Sequence, residues 1–208
     1  MNEKAVLLSI QPKWCALIAN GKKTVEVRKT IPKIETPFKC YIYQSKSKDR
    51  LMYVMKDGDE NYGVIYHGKP VFIKTYSEHS NPCEQKVIGE FVCDRIIDVD
   101  CDSIAPFDKS TGIYIGEQCC LSREELWKYT SGHCAHGWHI SDLKIYNKPK
   151  ELSEFGTLCD EDCPNCEFWK CDMVNQHERD MDCTNSSYPL RPVKRPPQSW
   201  CYVEAMGK

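Results

Sequence analysis

The sequence predicts an α+β fold: a small β-barrel flanked by helices, with a hairpin insertion and a cysteine-rich loop stapled by zinc. Three observations favour this class. Many short β-prone runs are separated by turn signals, while only two segments carry clear helix signals. The elements lack the strand–helix–strand rhythm of a parallel sheet. Five of the 14 cysteines fall in one acidic stretch without apolar periodicity.

Length and composition fit one soluble domain. The chain has 208 residues, of which 41% are hydrophobic, and we expect a single domain over 1–208 with insertions at about 46–83 and 156–192. No apolar run approaches the roughly 20 residues that span a bilayer. The apolar run at 5–8 is too short for the core of a signal peptide. We therefore expect a cytoplasmic protein without a membrane partner, in a compartment where thiols stay reduced.

The net charge of -2 conceals two regions of opposite sign. Residues 1–50 carry 11 Lys and Arg against 4 Asp and Glu, whereas residues 151–188 carry 2 against 10. The basic quarter is suited to facing phosphates, although a solvated basic face has the same composition. The near-neutral total argues against sequence-blind binding along nucleic acid.

The first elements follow from local patterns. Residues 5–10 form an apolar run that predicts a buried strand. Pro12 then fits the first turn of a helix, where its missing N–H costs nothing. Trp14 with Leu17 and Ile18 gives this helix one apolar face, and Gly21 is placed to end it.

A short alternating strand follows at residues 24–28. Glu26 and Arg28 are two residues apart, so they share the face opposite Val25 and Val27. A carboxylate and a guanidinium at the mouth of a barrel can bind a planar polar group by directed hydrogen bonds, and Lys23 adds a positive charge at the strand entrance. A salt-bridged pair on a solvent-facing strand is the alternative.

The remaining elements are predicted as follows. Residues 41–43 and 86–97 are strand candidates, and the Gly-punctuated insertion at 46–83 between them reads as a hairpin excursion. Ser122 and Glu125 have the spacing of a capping box and predict a helix start, with Leu121 and Leu126 as its hydrophobic staple. Strands are also predicted at 138–146 and 199–203.

The acidic stretch predicts a structural zinc site. Cys163 and Cys166 have the spacing at which two thiolates bind one metal ion, and two more cysteines complete a tetrahedral set. We favour Cys171 and Cys183 as these partners, with Cys159 as the alternative. A long loop without apolar periodicity has little else to order it. A catalytic zinc or a redox pair lacks the accompanying residues.

The segment from Gly21 to Arg28 resembles the signature of the ASCH family in the PUA-like superfamily. Gly21, Lys23, Glu26 and Arg28 match its glycine, its lysine and its Glu-x-Arg. Further segments are similar to family strands and to the bacterial and phage-borne branch, at residues 40–46, 87–91, 137–143 and 195–201. The resemblance implies a PUA-like barrel.

The resemblance also implies that RNA, or a nucleotide with a modified base, binds in a cleft around this motif. Aromatic residues near the motif offer faces on which a base can stack, although most aromatic side chains belong to cores. The ligand-binding residues expected on this basis are Gln11, Trp14, Lys23, Glu26, Arg28, Tyr43, Ser45 and Trp138.

Two other functions stay open. Some compact ASCH proteins are amidohydrolases that remove the acetyl group of N4-acetylcytidine, using a lysine, a threonine three residues later and a more distant acid. Lys23 matches that lysine, Glu26 occupies the threonine position, and Glu117 is near the acid without a clean alignment. In an enzyme, Lys23 and Glu26 would be the catalytic pair. The other alternative is a protein-interaction module that uses the acidic zinc loop.

Overall fold

The computed structural model describes residues 4–46, 53–55, 63–66, 69–74, 85–100, 106–157 and 191–205. For the strands between 53 and 74 it describes the backbone only. The described helices are α1 (Pro12–Ala19), α2 (Gly116–Cys119) and α3 (Arg123–Thr130), with a 3-10 turn at Leu152–Glu154. The described strands are β1 (Lys4–Ile10), β2 (Val25–Arg28), β3 (Phe38–Gln44), β4 (Tyr53–Met55), β5 (Gly63–Tyr66), β6 (Lys69–Lys74), β7 (Lys86–Asp100), β8 (Phe107–Asp108), β9 (Ala135–Glu151), β10 (Gly156–Thr157), β11 (Arg191–Pro192) and β12 (Trp200–Glu204).

A mixed, seven-stranded sheet is the centre of the fold. Its strand order is β12-β1-β3-β7-β9-β2, and β8 pairs with the end of β7. Only β1 and β3 run parallel, joined by the segment that contains α1 and β2, and the remaining pairs are antiparallel. The α+β class is confirmed, and the predicted small barrel is confirmed in part: the strands form one mixed sheet that is not closed, because no ladder joins β2 to β12 in the described residues.

Side chains cross the opening between the two edge strands. Arg28 on β2 donates to the backbone oxygens of Ser9 and Ser199, at 2.9 and 3.4 Å. The indole N–H of Trp200 donates to Thr30 Oγ1 at 3.0 Å, and the Tyr202 hydroxyl accepts from the backbone N–H of Lys33 at 2.6 Å. The sheet is therefore open as a ladder and bridged by polar side chains.

The first and third strands are buried on both faces, which explains their nearly continuous apolar sequence. Along β1, Val6 and Leu8 face one apolar cluster while Leu7 faces another. Along β3, Ile42 lies in the first cluster and Tyr41 in the second. Successive side chains of a strand point to opposite faces, so each strand contributes to two cores at once.

A third cluster lies beyond β2. Val25 and Val27 of β2 pack with Ile97 and Val99 of β7 and with residues of α2 and α3, including Leu126. The predicted alternation of β2 is confirmed in its apolar half. The polar residues Glu26 and Arg28 are buried as well, so all four residues of the strand are shielded from solvent.

The start of α3 has the predicted capping box. The backbone N–H of Glu125 donates to Ser122 Oγ at 3.2 Å, and the backbone N–H of Ser122 donates to Glu125 Oε2 at 3.0 Å. Leu121 packs on the same cluster as Leu126, as a hydrophobic staple requires. Local sequence thus fixes where this helix begins.

The two insertions differ in what the structure describes. Strands β4, β5 and β6 lie within the predicted insertion at 46–83 and form their own antiparallel sheet in the order β4-β6-β5. The predicted zinc loop falls outside the described residues between 158 and 190. Among the described helices, none is both long and apolar enough to traverse a lipid bilayer.

Candidate functional site

A cleft of about 950 Å³ opens where β1, β2, β3 and α3 come together. Six parts of the chain line it: the end of β1 with the start of α1, the stretch from 23 to 30, the end of β3 with the two residues after it, Gln85, one face of α3 with Leu121 before it, and residues 196–199. Small-molecule sites have volumes of roughly 300–1,000 Å³, so the cleft can hold a ligand the size of a nucleotide.

The chain reaches the cleft floor through a tight turn after α1. The N–H of Gly21 donates to the oxygen of Ile18 at 2.8 Å, and the N–H of Lys22 donates to that of Leu17 at 2.9 Å. This bonding pattern is the Schellman ending of a helix, and Gly21 adopts the positive φ of 73° that it requires. The predicted role of Gly21 is confirmed, and the turn places Lys23 just before β2.

Three buried charged side chains form a row on the floor: Lys23, Glu26 and Arg28, which we call the charged row. Glu26 lies in the middle, with Oε2 at 3.4 Å from Lys23 Nζ and Oε1 at 3.0 Å from Arg28 Nη2. The side chains are only 2%, 8% and 7% exposed, respectively. Because water hardly reaches these side chains, each charge must be stabilised by the neighbouring charges in place of hydration.

Both cations of the charged row have further partners. Lys23 Nζ donates to the backbone oxygen of Cys119 at 2.6 Å, which ties the row to the end of α2. Arg28 donates through Nη2 to the oxygen of Ser9, and its Nη1 lies 3.4 Å from both Oγ and O of Ser199. The N–H at Arg28 Nε, by contrast, is buried without an acceptor in the part of the chain that the structure describes.

The rim of the cleft is positively charged. Lys29, Lys46 and Lys128 line it in addition to the two cations of the row, whereas Glu26 and Glu125 are the acids that line it among the described residues. Glu125 is already paired with Lys13 at 2.8 Å. That ion pair holds down the pKa of Glu125, with the capping hydrogen bonds of Ser122 as a further cause. An anionic ligand would therefore meet an excess of positive charge.

Aromatic side chains form the walls. Trp14 is half-buried in the cleft, with Lys13 Nζ at 4.3 Å and Lys23 Nζ at 5.1 Å from the centre of its ring. Tyr129 of α3 also lines the cleft, and Lys29 Nζ lies 5.3 Å from the centre of its ring. Burial raises the pKa of Tyr129, and the Arg28 guanidinium opposes that shift.

Most residues that the sequence predicts for the site lie together. The cleft is lined by Gln11, Trp14, Lys23, Glu26, Arg28, Tyr43 and Ser45. Gln11 precedes α1 but its side chain does not cap the helix, so its amide is available to the cleft.

Trp138 and Glu117, predicted for the same site, do not line the cleft. Trp138 is fully buried and packs edge-on against Phe38 at 5.5 Å between ring centres. It is opposite Glu26 in the β2–β9 register, so it lies beside the charged row but within the core. Glu117 is exposed on α2 and does not line the cleft.

Sequence reasoning missed the contribution of α3. Leu121, which precedes the helix, and Glu125, Lys128 and Tyr129 on it all line the cleft. The three helical residues are three and then one residue apart, which is the spacing of one helical face, so a helical projection could have grouped them. Nothing in that spacing says which partner the face meets, because the docking of α3 depends on tertiary contacts.

The predicted zinc ligands Cys159, Cys163, Cys166, Cys171 and Cys183 all fall outside the described residues. Within the part of the chain that the structure describes, no group of three or more His, Cys, Asp or Glu side chains is arranged to hold a metal ion. The zinc site therefore stays a prediction from the sequence.

A family model for the ASCH domain matches residues 8–122, which is more than half of the chain. The chain belongs to the ASCH domain family. The match contains the whole charged row and the cleft-lining residues from Ser9 to Leu121, and it ends at Ser122, the N-cap of α3.

Solved structures similar to this ASCH chain include the ASCH protein from Zymomonas mobilis, at 17% identity and a TM-score of 0.45, covering 96% of this chain and 87% of that chain. A tyrosine-to-phenylalanine mutant of the same protein has 17% identity, a TM-score of 0.47 and coverages of 96% and 90%. A serine-to-alanine mutant has 17% identity, a TM-score of 0.45 and coverages of 98% and 90%. A comparison with curated proteins gives no significant match.

Proposed function

We propose that this ASCH domain binds single-stranded RNA and holds one nucleotide in the cleft around the charged row. The observation that carries the proposal is the combination of buried, directed hydrogen-bonding groups on the floor with a cationic rim. A floor of this kind suits a planar polar base, and the rim suits the phosphates attached to it.

The charge distribution favours a phosphate-bearing ligand. Lys29, Lys46 and Lys128 line the cleft, and none is paired with an acid in the ion pairs of the described residues. Lysines of this kind neutralise phosphates by releasing counterions, which makes affinity fall as salt rises. The near-neutral total charge limits such binding to this face of the molecule.

The aromatic walls favour an unstacked base. Trp14 and Tyr129 both line the cleft, and stacking on such rings contributes about 1–3 kcal/mol per base. Single-stranded RNA exposes its base faces and edges, whereas duplex RNA hides them in a deep, narrow groove. A cleft with charged groups at its floor therefore fits a splayed-out nucleotide.

The contacts of Lys23 favour binding over catalysis. Its ammonium group donates to the Cys119 carbonyl and faces the Glu26 carboxylate, so two of its N–H groups are directed at fixed oxygens. A group held in this way supports a role as a fixed recognition element.

Binding of a fluorescently labelled single-stranded RNA, measured by anisotropy at several salt concentrations, tests the proposal. We expect salt-dependent binding that Arg28→Ala abolishes. Lys128→Ala should weaken it and reduce the slope of log K against log salt by about 0.7, the value for one phosphate contact on a single strand. Arg123→Ala is the matched control, because Arg123 is an exposed cation on the same helix that does not line the cleft.

Absence of binding at low salt would overturn the proposal. Incubation with N4-acetylcytidine tests the amidohydrolase alternative in the same preparation. Turnover that disappears in both Lys23→Ala and Glu26→Ala would replace the binding function with the hydrolytic one.

A further inference from the structure

The order of groups in the charged row carries information about which base the cleft accepts. Lys23 can only donate hydrogen bonds, ionised Glu26 can only accept them, and Arg28 can only donate. Glu26 is between the two cations, with one carboxylate oxygen toward each. The cleft floor therefore presents the sequence donor, acceptor, donor.

Each member of the row has hydrogen-bonding capacity left. Lys23 has three N–H groups and two oxygen partners, the Cys119 carbonyl and Glu26. Each Glu26 oxygen faces one cation, although a carboxylate oxygen can accept two hydrogen bonds. Arg28 reaches Ser199 only through long contacts of 3.4 Å at Nη1, so a better-placed ligand acceptor can compete for that donor.

A ligand edge that complements this row must read acceptor, donor, acceptor. The base-pairing edge of uracil does so, with O4, N3–H and O2 in that order. Cytosine reads donor, acceptor, acceptor, and it would place its N3 lone pair against the Glu26 carboxylate. Guanine reads acceptor, donor, donor, and it would direct its amino group at the Arg28 guanidinium. Adenine offers only a donor and an acceptor.

We infer that the cleft selects uracil, with N3–H donating to Glu26 and the two carbonyl oxygens accepting from Lys23 and Arg28. This inference rests on the proposed nucleotide binding and specifies the base. Trp14 lies beside the Lys23 end of the row, since the Lys23 ammonium is 5.1 Å from its ring centre. A base that reaches Lys23 with one carbonyl can therefore stack on the Trp14 indole.

The selectivity has a physical source in the burial of the row. Buried polar groups left facing the wrong partner lose their hydrogen bonds without regaining water, so mismatched bases are rejected more strongly than matched bases are favoured. A correct pattern of base contacts gives discrimination on the order of tenfold or more.

Titration calorimetry with nucleoside monophosphates tests the inference without any variant. We expect uridine monophosphate to bind at least about tenfold more tightly than cytidine monophosphate, which differs only along this edge. N3-methyluridine monophosphate, which lacks the central donor, should lose the same factor. The second arm of the experiment compares oligouridine with oligocytidine of equal length. It shows whether the cleft binds uracil in a free nucleotide or in an RNA strand.

Each outcome bears on one of the two proposals. Equal affinities for the uridine and cytidine probes, or full binding of the N3-methyl probe, would overturn uracil selection and leave nucleotide binding intact. Failure of all monophosphates and oligonucleotides to bind would remove nucleotide binding itself. A preference for uridine in either arm supports the inference. The arm that shows the preference identifies the ligand as a free nucleotide or as RNA.

A variant pair sharpens the test. Glu26→Gln replaces an acceptor by a group that can also donate to cytosine N3, so the uridine-to-cytidine affinity ratio should fall toward one. Glu124→Gln makes the same chemical change at an exposed α3 position outside the cleft and should keep the ratio of the parent protein. An unchanged ratio in a folded Glu26→Gln protein would contradict the assigned role of Glu26.

Discussion

Removing the negative charge of Glu26 should destabilise the fold far more than removing the charge of an exposed glutamate. Glu26→Gln keeps the size of the side chain but leaves Lys23 and Arg28 without their shared counter-charge. All three side chains are at most 8% exposed, so water cannot replace the lost partner. Breaking a buried ion pair by removing one partner costs about 3–5 kcal/mol.

The expected change is large enough to measure by thermal or urea unfolding. For a domain of this size, each kcal/mol shifts the midpoint by about 2–4 °C, so Glu26→Gln should lower Tm by about 6–20 °C. Glu125→Gln is the matched control, because it makes the same change in an ion pair whose side chains are 55% and 41% exposed. Exposed pairs of that kind contribute about 0–1 kcal/mol.

A second substitution distinguishes charge imbalance from a simple packing defect. Lys23→Met added to Glu26→Gln removes one of the two uncompensated cations, so the double variant should recover part of the lost stability. Equal shifts for Glu26→Gln and Glu125→Gln, or a further loss in the double variant, would refute the reasoning that the row is a buried and mutually neutralising unit.

Three further predictions concern other parts of the chain. Because the folded state lowers the pKa of Glu125, its charge stabilises the fold above the ordinary value of 4.5, and the stability gap between parent and Glu125→Gln should close as pH falls below that value in urea titrations. Gly89→Ala should cost about 1–3 kcal/mol in the same assay, since its Cβ would lie 2.5 Å from the backbone oxygen of Lys144 on the neighbouring strand; no loss would contradict the close β7–β9 approach. Purified protein should carry about one zinc per chain by elemental analysis, reduced in Cys163→Ser but not in Cys134→Ser, and zinc-free protein of full stability would rule the site out.

Much of the fold was predictable because it depends on local rules. The apolar run of β1, the Pro12 start and Gly21 end of α1, and the capping box at Ser122 each involve residues within one turn of each other. The predicted apolar face of α1 is confirmed only in part. The structure fully buries Cys15 and Ile18, whereas Trp14 and Leu17 are half-buried.

The burial of the charged row and the position of Trp138 depend on contacts between residues that are distant in the sequence. The alternation of β2 puts Glu26 and Arg28 on one face, but their burial requires α3 and residues 196–199 to cover them. Trp138 is in the core because Phe38 and Trp200 pack against it, at 5.5 and 6.1 Å between ring centres. No spacing within a single element reveals such partners, so an aromatic near a motif is easily mistaken for a ligand contact.

The opening between β2 and β12 has a consequence for how the molecule can move. Edge strands offer unpaired N–H and C=O groups to other chains, and the bridges from Arg28, Trp200 and Tyr202 draw these two edges toward each other. The bridges from Trp200 and Tyr202 are each worth about 0.5–1.5 kcal/mol and the charged Arg28 bridge about 1.5–3 kcal/mol, so widening this opening costs less than parting a full ladder. The cleft wall at this opening is therefore held by side chains alone, and a ligand bound by Arg28 would set how far β12, which stays paired with β1, stands from β2.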